Sequence, residues 1–190
     1  MSSDHFESLF EYAPISLWEQ DYSGIKSFLD RLRMNGVTDL ESHLDIHPEQ
    51  VDSSLKLIKV KHVNRETLNM FGAKNKSEML ANLDKMFRDE MRTHWRSELT
   101  ALWNGETQWS GDGINYRLDG EALHIRLHWR ILPECESTWE CVLVSIENHL
   151  HARASMSSAG AHSPAPRLMS SSHPHVRNIA CHSTCPRVRS

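Results

Sequence analysis

The chain has 190 residues, with 21 Lys and Arg against 25 Asp and Glu and 39% hydrophobic residues. That length suits one domain of ordinary size, and a formal charge of −4 gives a polyanion such as DNA no general electrostatic reason to bind. No apolar stretch approaches the roughly 20 residues of a membrane helix, and Met1–His5 lacks a basic-then-apolar leader pattern; the chain reads as soluble and cytoplasmic.

Charge divides the chain. All 25 acidic residues lie at or before Glu147 with 16 of the 21 basic ones, so residues 1–147 carry −9 and the remainder +5. Residues 148–190 contain Arg but no Lys, Asp or Glu, are rich in Ser, His, Pro and Ala, and show no apolar periodicity. Such a segment cannot bury enough surface to offset its chain entropy and reads as a disordered tail. The expected organisation is therefore an N-terminal helical segment over 1–12, a folded domain over 13–147 and a tail over 148–190. Four cysteines (Cys135, Cys141, Cys181 and Cys185) are too few and too late in the chain for a disulfide framework.

In chain order, Ile15-Ser16-Leu17-Trp18-Glu19 reads as a short strand after Pro14. Ile25, Phe28, Leu29 and Leu32 then recur at helical spacing, and Asn35-Gly36 ends that stripe. Thr38-Asp39-Leu40-Glu41 fits a capping box opening a second helix, and Pro48 suits the first turn of a third through Val51 and Leu55. Leu57–Val63 is a β-rich run. Asn64 caps a helix through Thr67, Leu68 and Phe71, closed by Gly72, and Ser77 opens a short helix through Leu80 and Leu83. From Arg88 to Asn104, Met91, Trp95, Leu99 and Leu102 form one stripe. The period then changes to two: Thr107–Leu118 and Glu121–Leu132 flank Asp119-Gly120, a dipeptide that tolerates the positive φ of a tight hairpin. Leu123, Ile125, Leu127, Trp129 and Ile131 face one way, and His124, Arg126, His128 and Arg130 the other. Trp139–Ile146 supplies a last strand after the turn Pro133–Ser137. Strand, helices, strand, helices and a final meander predict an α+β domain with an antiparallel sheet.

The segment Val63-Asn64-Arg65-Glu66-Thr67-Leu68-Asn69-Met70-Phe71-Gly72-Ala73 resembles the N-x6-F-G helix of PAS sensor domains. The long helix ending in Asn104-Gly105-Glu106, the Asp-Gly hairpin and Val142-Leu143-Val144-Ser145-Ile146 stand in the matching order. Ala13–Glu19 with extra helices after it is similar to N-terminal PAS domains of bacterial sensor histidine kinases and diguanylate cyclases. This resemblance, over about residues 6–147, implies a five-stranded antiparallel sheet with helices on one face, extra helices between the first two strands, and a sensory role without catalysis. It also implies a signalling helix and an output domain, a histidine kinase or other output protein, at a point where this sequence has Glu147-Asn148-His149-Leu150. Read one base later, codons for Asn148-His149-Leu150 permit the Ile-Thr with which PAS domains often end, so the tail is either a frameshift product or a genuine disordered segment.

Several residues could carry chemistry. Trp18, Met70, Phe71, Met91, Trp95 and Trp129, with Trp109, are the aromatic and Met set that would line a ligand cavity or simply fill a core. His94 stands where haem-binding PAS domains place an axial ligand, yet it lies off the apolar stripe and reads as a partly exposed helix residue. Flavin photochemistry of light-oxygen-voltage relatives uses a cysteine in an Asn-Cys-Arg motif, in which neither Cys135 nor Cys141 stands. His124 and His128 share a basic strand face with Arg126 and Arg130, and His173, His175, Cys181, His182 and Cys185 offer zinc-type ligands in the tail. No phosphate-binding glycine loop or nucleophile elbow occurs. Glu19 reads as an edge-exposed acid. Phe6, Leu9 and Phe10, at helical spacing within Asp4–Tyr12, form a candidate homodimer element together with the sheet. The alternative is a cone-shaped α+β enzyme of the ketosteroid-isomerase type, which needs a buried acid or Tyr facing a cavity; Glu19, Asp112 and Tyr116 are its candidates.

Overall fold

Alternation of apolar and polar residues organises the whole C-terminal half. In the computed structural model, which describes residues 3–88 and 91–148, β3 (Gln108–Tyr116), β4 (Ala122–Ile131) and β5 (Val142–Asn148) form an antiparallel meander. β1 (Ser16–Asp21) pairs with β5 and with β2 (Lys59–Val63), giving the order β2-β1-β5-β4-β3. Leu123, Ile125, Leu127, Trp129 and Ile131 are buried on the inner face, whereas His124, Arg126 and Arg130 are exposed on the other. Trp18 and Trp129 both oppose Val144, so one row of large side chains crosses the middle of the sheet.

Seven helices cover the inner face: α2 (Ser23–Met34), α3 (Leu40–Ile46), α4 (Glu49–Leu55), α5 (Arg65–Phe71), α6 (Lys76–Leu80), α7 (Leu83–Met86) and α8 (Met91–Trp103). Each puts at least one buried residue against the sheet or its neighbours, such as Leu29, Leu44, Val51, Phe71, Met79, Met86 and Trp95. The first helix, α1 (Ser3–Glu11), borders the opposite side, where it forms an open groove of about 820 Å³ with Glu19, His62 and Val63.

Asn64 shows how local chemistry fixes the join between strand and helix. Its Oδ1 accepts the Thr67 amide (3.0 Å) and the Leu17 amide (3.0 Å), and its Nδ2 donates to Ile15 O (2.9 Å) and Phe10 O (3.1 Å). One side chain thus caps α5 and ties it to β1 and α1. Gly72 closes α5 at φ 71°, a conformation that costs a residue with a Cβ.

Three local expectations are corrected. Asp39, not Thr38, caps α3, because its carboxylate reaches the Glu41 amide (3.0 Å) and the Ser42 hydroxyl (2.6 Å) together. The helix expected from Ser77 begins at Lys76 under an Asn75 cap and breaks before α7, where the Asn82 side chain donates back to Glu78 O. In the hairpin only Gly120 takes a positive φ (94°); Arg117 and Glu121 close a three-residue loop, and the Leu118 amide donates across to Phe71 O (3.0 Å).

Candidate functional site

The inner face of β1 presents Trp18 and Gln20, and Tyr22 follows just past the strand end. Facing them are Met91, Trp95 and Glu98 from α8, with Phe87 and Leu127 completing the enclosure. The space left between them is about 40 Å³. That volume holds a water molecule but not the 300–1,000 Å³ of a drug-sized ligand site. Aromatic rings pack edge to face in and behind its wall: Tyr22 meets Trp95 at 6.1 Å and Trp129 at 6.5 Å, and Trp18 meets Phe71 at 5.8 Å. Trp95 is further anchored by its Nε1–H, which donates to Ser54 Oγ (2.9 Å).

One acid stands in this wall. The Glu98 side chain is 2% exposed, and burial raises its pKa above the usual carboxylate range, opposed by His94 and by the Trp129 indole N–H. His94 Nδ1 lies 3.2 Å from Glu98 Oε1, but neither His94 nitrogen nor Trp129 Nε1 meets a partner in hydrogen-bonding geometry. Tyr22 is buried beside them, and burial together with the Glu98 charge raises its pKa well above 10. The group is therefore a set of enclosed polar atoms adjoining a water-sized void.

The sign of the Glu98 shift gives a pH prediction. A carboxyl whose folded pKa is raised contributes its full stability below about pH 4.3 and loses it as pH climbs towards the folded value. Asp21, Asp30 and Asp39 are shifted downwards and act on stability at lower pH, outside this window. Glu98→Gln is thus expected to gain stability relative to the parent chain between pH 5 and pH 8. Urea unfolding across that range reads it, and a pH-independent difference between the two proteins contradicts it.

Trp18, Met91 and Trp95 of the expected lining set do meet at the void. Phe71 packs behind Trp18, and Trp129 contributes its ring to the Tyr22 cluster without bordering the space. Met70 instead lines an outer groove with Pro14, Ile15 and Arg117. His94 is not the partly exposed residue expected: its side chain is 8% exposed, covered by the edge of Trp109 at 4.9 Å and by β3 at Gly113, where a Cβ would lie 3.1 Å from its ring. It lines a groove between α8 and β3 rather than the enclosed void. Glu19 is not at a sheet edge; on the outer face of the inner strand β1 it pairs with Lys61 at 3.0 Å. Asp112 pairs with Arg126 (3.4 Å), and Tyr116 carries the Arg88 guanidinium over its ring (4.1 Å). Glu98 and Tyr22, which spacing alone does not single out, are the buried acid and phenol of this wall.

Among the described residues no group of three or more His, Cys, Asp or Glu is placed to hold a metal, and the tail ligands His173, His175, Cys181, His182 and Cys185 lie outside the described residues. No helix among the described residues is long and apolar enough to cross a membrane.

The sheet order and the helical cover recur in solved structures. The LOV protein of Rhodobacter sphaeroides superposes with a TM-score of 0.52 at 15% identity, covering 85% of this chain and 76% of that one. The fold is that of a PAS domain. A PAS domain of a LuxR-family transcriptional regulator from Burkholderia thailandensis, solved in complex with ethanol, is 12% identical with a TM-score of 0.48 and covers 76% of this chain and 97% of its own. The LOV domain of a blue-light activated histidine kinase from Erythrobacter litoralis is 18% identical, with a TM-score of 0.47 and coverages of 72% and 96%. No protein-family model matches the chain, and no curated protein does. The acid and tyrosine candidates of the cone-shaped alternative, Glu19, Asp112 and Tyr116, do not line the enclosed void.

Proposed function

We propose that this PAS domain is a sensory and interaction module of signal transduction that works through contacts with other chains, without catalysis of its own. The observation that carries the reading is the size of the interior, about 40 Å³. Glu98 and Tyr22 have the chemistry of an acid–base site, but a space that size admits no substrate beside them. A haem or a flavin needs far more room, and His94 does not face that space. The interior therefore fits neither group.

Apolar surface lies elsewhere. Leu9 (57% exposed) and Tyr12 (69%) on and after α1, with Ile15 (39%) and Leu143 (38%), place large side chains outside the core. Leu143 opposes the outward-facing Glu19, so this patch belongs to the outer sheet face and the helix beside it. Two copies meeting there through α1 and the sheet would cover it; Phe6, the third residue of the expected element, has its side chain outside the described residues. Within a longer protein the same module, acting in the cytoplasm, would relay its state to a histidine kinase or diguanylate cyclase. Native mass spectrometry tests the reading: the chain runs as a dimer, and Leu9→Glu or Leu143→Glu, both at exposed positions, shifts it to monomer. A parent chain that is monomeric at micromolar concentration overturns the dimer.

A further inference from the structure

The turn between β4 and β5 holds two free cysteines whose sulfurs interact. Ile131 opposes Val142 in the ladder, and the Leu132 amide continues it by donating to Cys141 O (3.0 Å). The chain then folds into a short 3-10 turn, Pro133–Cys135, in which the Cys135 amide returns to Leu132 O (2.8 Å). Cys135 O in turn accepts the amides of Thr138 (3.1 Å) and Trp139 (2.7 Å), which brings the chain back to Cys141. The turn brings the Cys135 thiol near that of Cys141.

The surroundings of the two sulfurs differ. Lys61 Nζ, held by Glu19 at 3.0 Å, stands 3.8 Å from Cys141 Sγ and 3.4 Å from Glu140 O. The neighbouring Cys141, with partial burial and the nearby Glu134 and Glu140, pushes the Cys135 thiol up to about 11. The Lys61 ammonium thus stands beside the Cys141 sulfur, where it favours nucleophilic attack by that sulfur rather than by Cys135. Both residues are partly accessible to solvent.

We propose that Cys135 and Cys141 are a redox modification site, a dithiol that a hydroperoxide converts reversibly to an intramolecular disulfide. The Cys141 thiolate attacks the terminal peroxide oxygen, forming an S–O bond as the O–O bond breaks, and the alkoxide or hydroxide leaves with a proton. Cys135 sulfur then attacks Cys141 sulfur; the S–S bond forms, the S–O bond breaks, and the departing hydroxide takes the Cys135 proton as water. The peroxide gains two electrons, and the two thiols lose them. A dithiol reductant reverses the step by exchange. The bond would clamp a turn in which Trp139 already sits at φ 60° and its carbonyl accepts the Tyr22 amide (2.8 Å), so the covalent state of the turn bears directly on a residue of the interior wall.

The test uses the full chain carrying Cys181→Ser and Cys185→Ser, treated with an equimolar amount of hydrogen peroxide. No Lys or Arg lies between Arg130 and Arg153, so both cysteines fall on one tryptic peptide, and cleavage after Glu136 or Glu140 separates them. The expected product is that peptide lighter by two hydrogens, its two halves held together after glutamyl cleavage and released by dithiothreitol. In Cys135→Ser, Cys141 is expected to be trapped by a sulfenic-acid reagent such as dimedone, and Lys61→Gln is expected to slow oxidation several-fold. Cys135 and Cys141 that stay alkylatable, or that gain oxygen without ever linking, overturn the proposal.

Discussion

Asn64→Ala is expected to lower stability by about 2–4 kcal/mol, the sum of a lost helix cap and buried amide and carbonyl groups left without partners. Asn64 is fully buried, and its amide serves both sides of a junction. Oδ1 accepts the Leu17 and Thr67 amides, which α5 and β1 cannot satisfy otherwise at that point. Nδ2 donates to Phe10, Ala13 and Ile15 carbonyls, which fixes the chain between α1 and the sheet. Alanine removes all of these, and the melting temperature is expected to fall by roughly 10 °C. Asn64→Asp separates the two roles: a carboxylate still caps α5 but donates nothing to the three carbonyls. Its hydrogen exchange is expected to rise in residues 3–15 while α5 stays protected. A chain equally stable with alanine at 64 contradicts the junction described.

Trp95→Ala has the other large effect, about 3–5 kcal/mol, the range for removing a buried Trp. The ring is fully buried on α8, packs edge-on against Tyr22 and holds Ser54 through its indole N–H. Ser54 Oγ also donates to Val51 O (2.8 Å), so the loss leaves that hydroxyl with one partner and opens the water-sized void into a ring-sized one. Cavities of that kind bind apolar molecules of matching shape. Free indole is therefore expected to raise the melting temperature of Trp95→Ala and leave the parent chain unchanged, since a ligand stabilises only the form that binds it. A parent chain that indole stabilises equally contradicts a filled interior.

Where the outcome was decided locally, it was legible in the residues. Asn64, Phe71 and Gly72 predict a capped and closed helix because cap and αL residue act within one turn. The alternation of β4 predicts its buried and exposed faces for the same reason. Glu98 escaped because the stripe Met91–Trp95–Leu99–Leu102 has a parallel row, Met91–Trp95–Glu98–Leu102, on the same inward side of α8. An acid in such a row was the available signal. His94 escaped for a different reason: its cover is Trp109, fifteen positions along, which reaches it only because Gly111 and Gly113 leave β3 bare. Capping at Asp39 and Asn75 rather than Thr38 and Ser77 came from competition among neighbouring side chains able to cap, which spacing alone does not rank. Interior volume is a sum over facing elements, and no periodicity contains it.

Native mass spectrometry of the unmodified chain weighs whatever its interior retains. The expected mass is that of the polypeptide alone, as a dimer, since an interior of about 40 Å³ has no room for a drug-sized ligand. A co-purified molecule on the order of a few hundred daltons, bound stoichiometrically and released on unfolding, would contradict it and make the interior a ligand site.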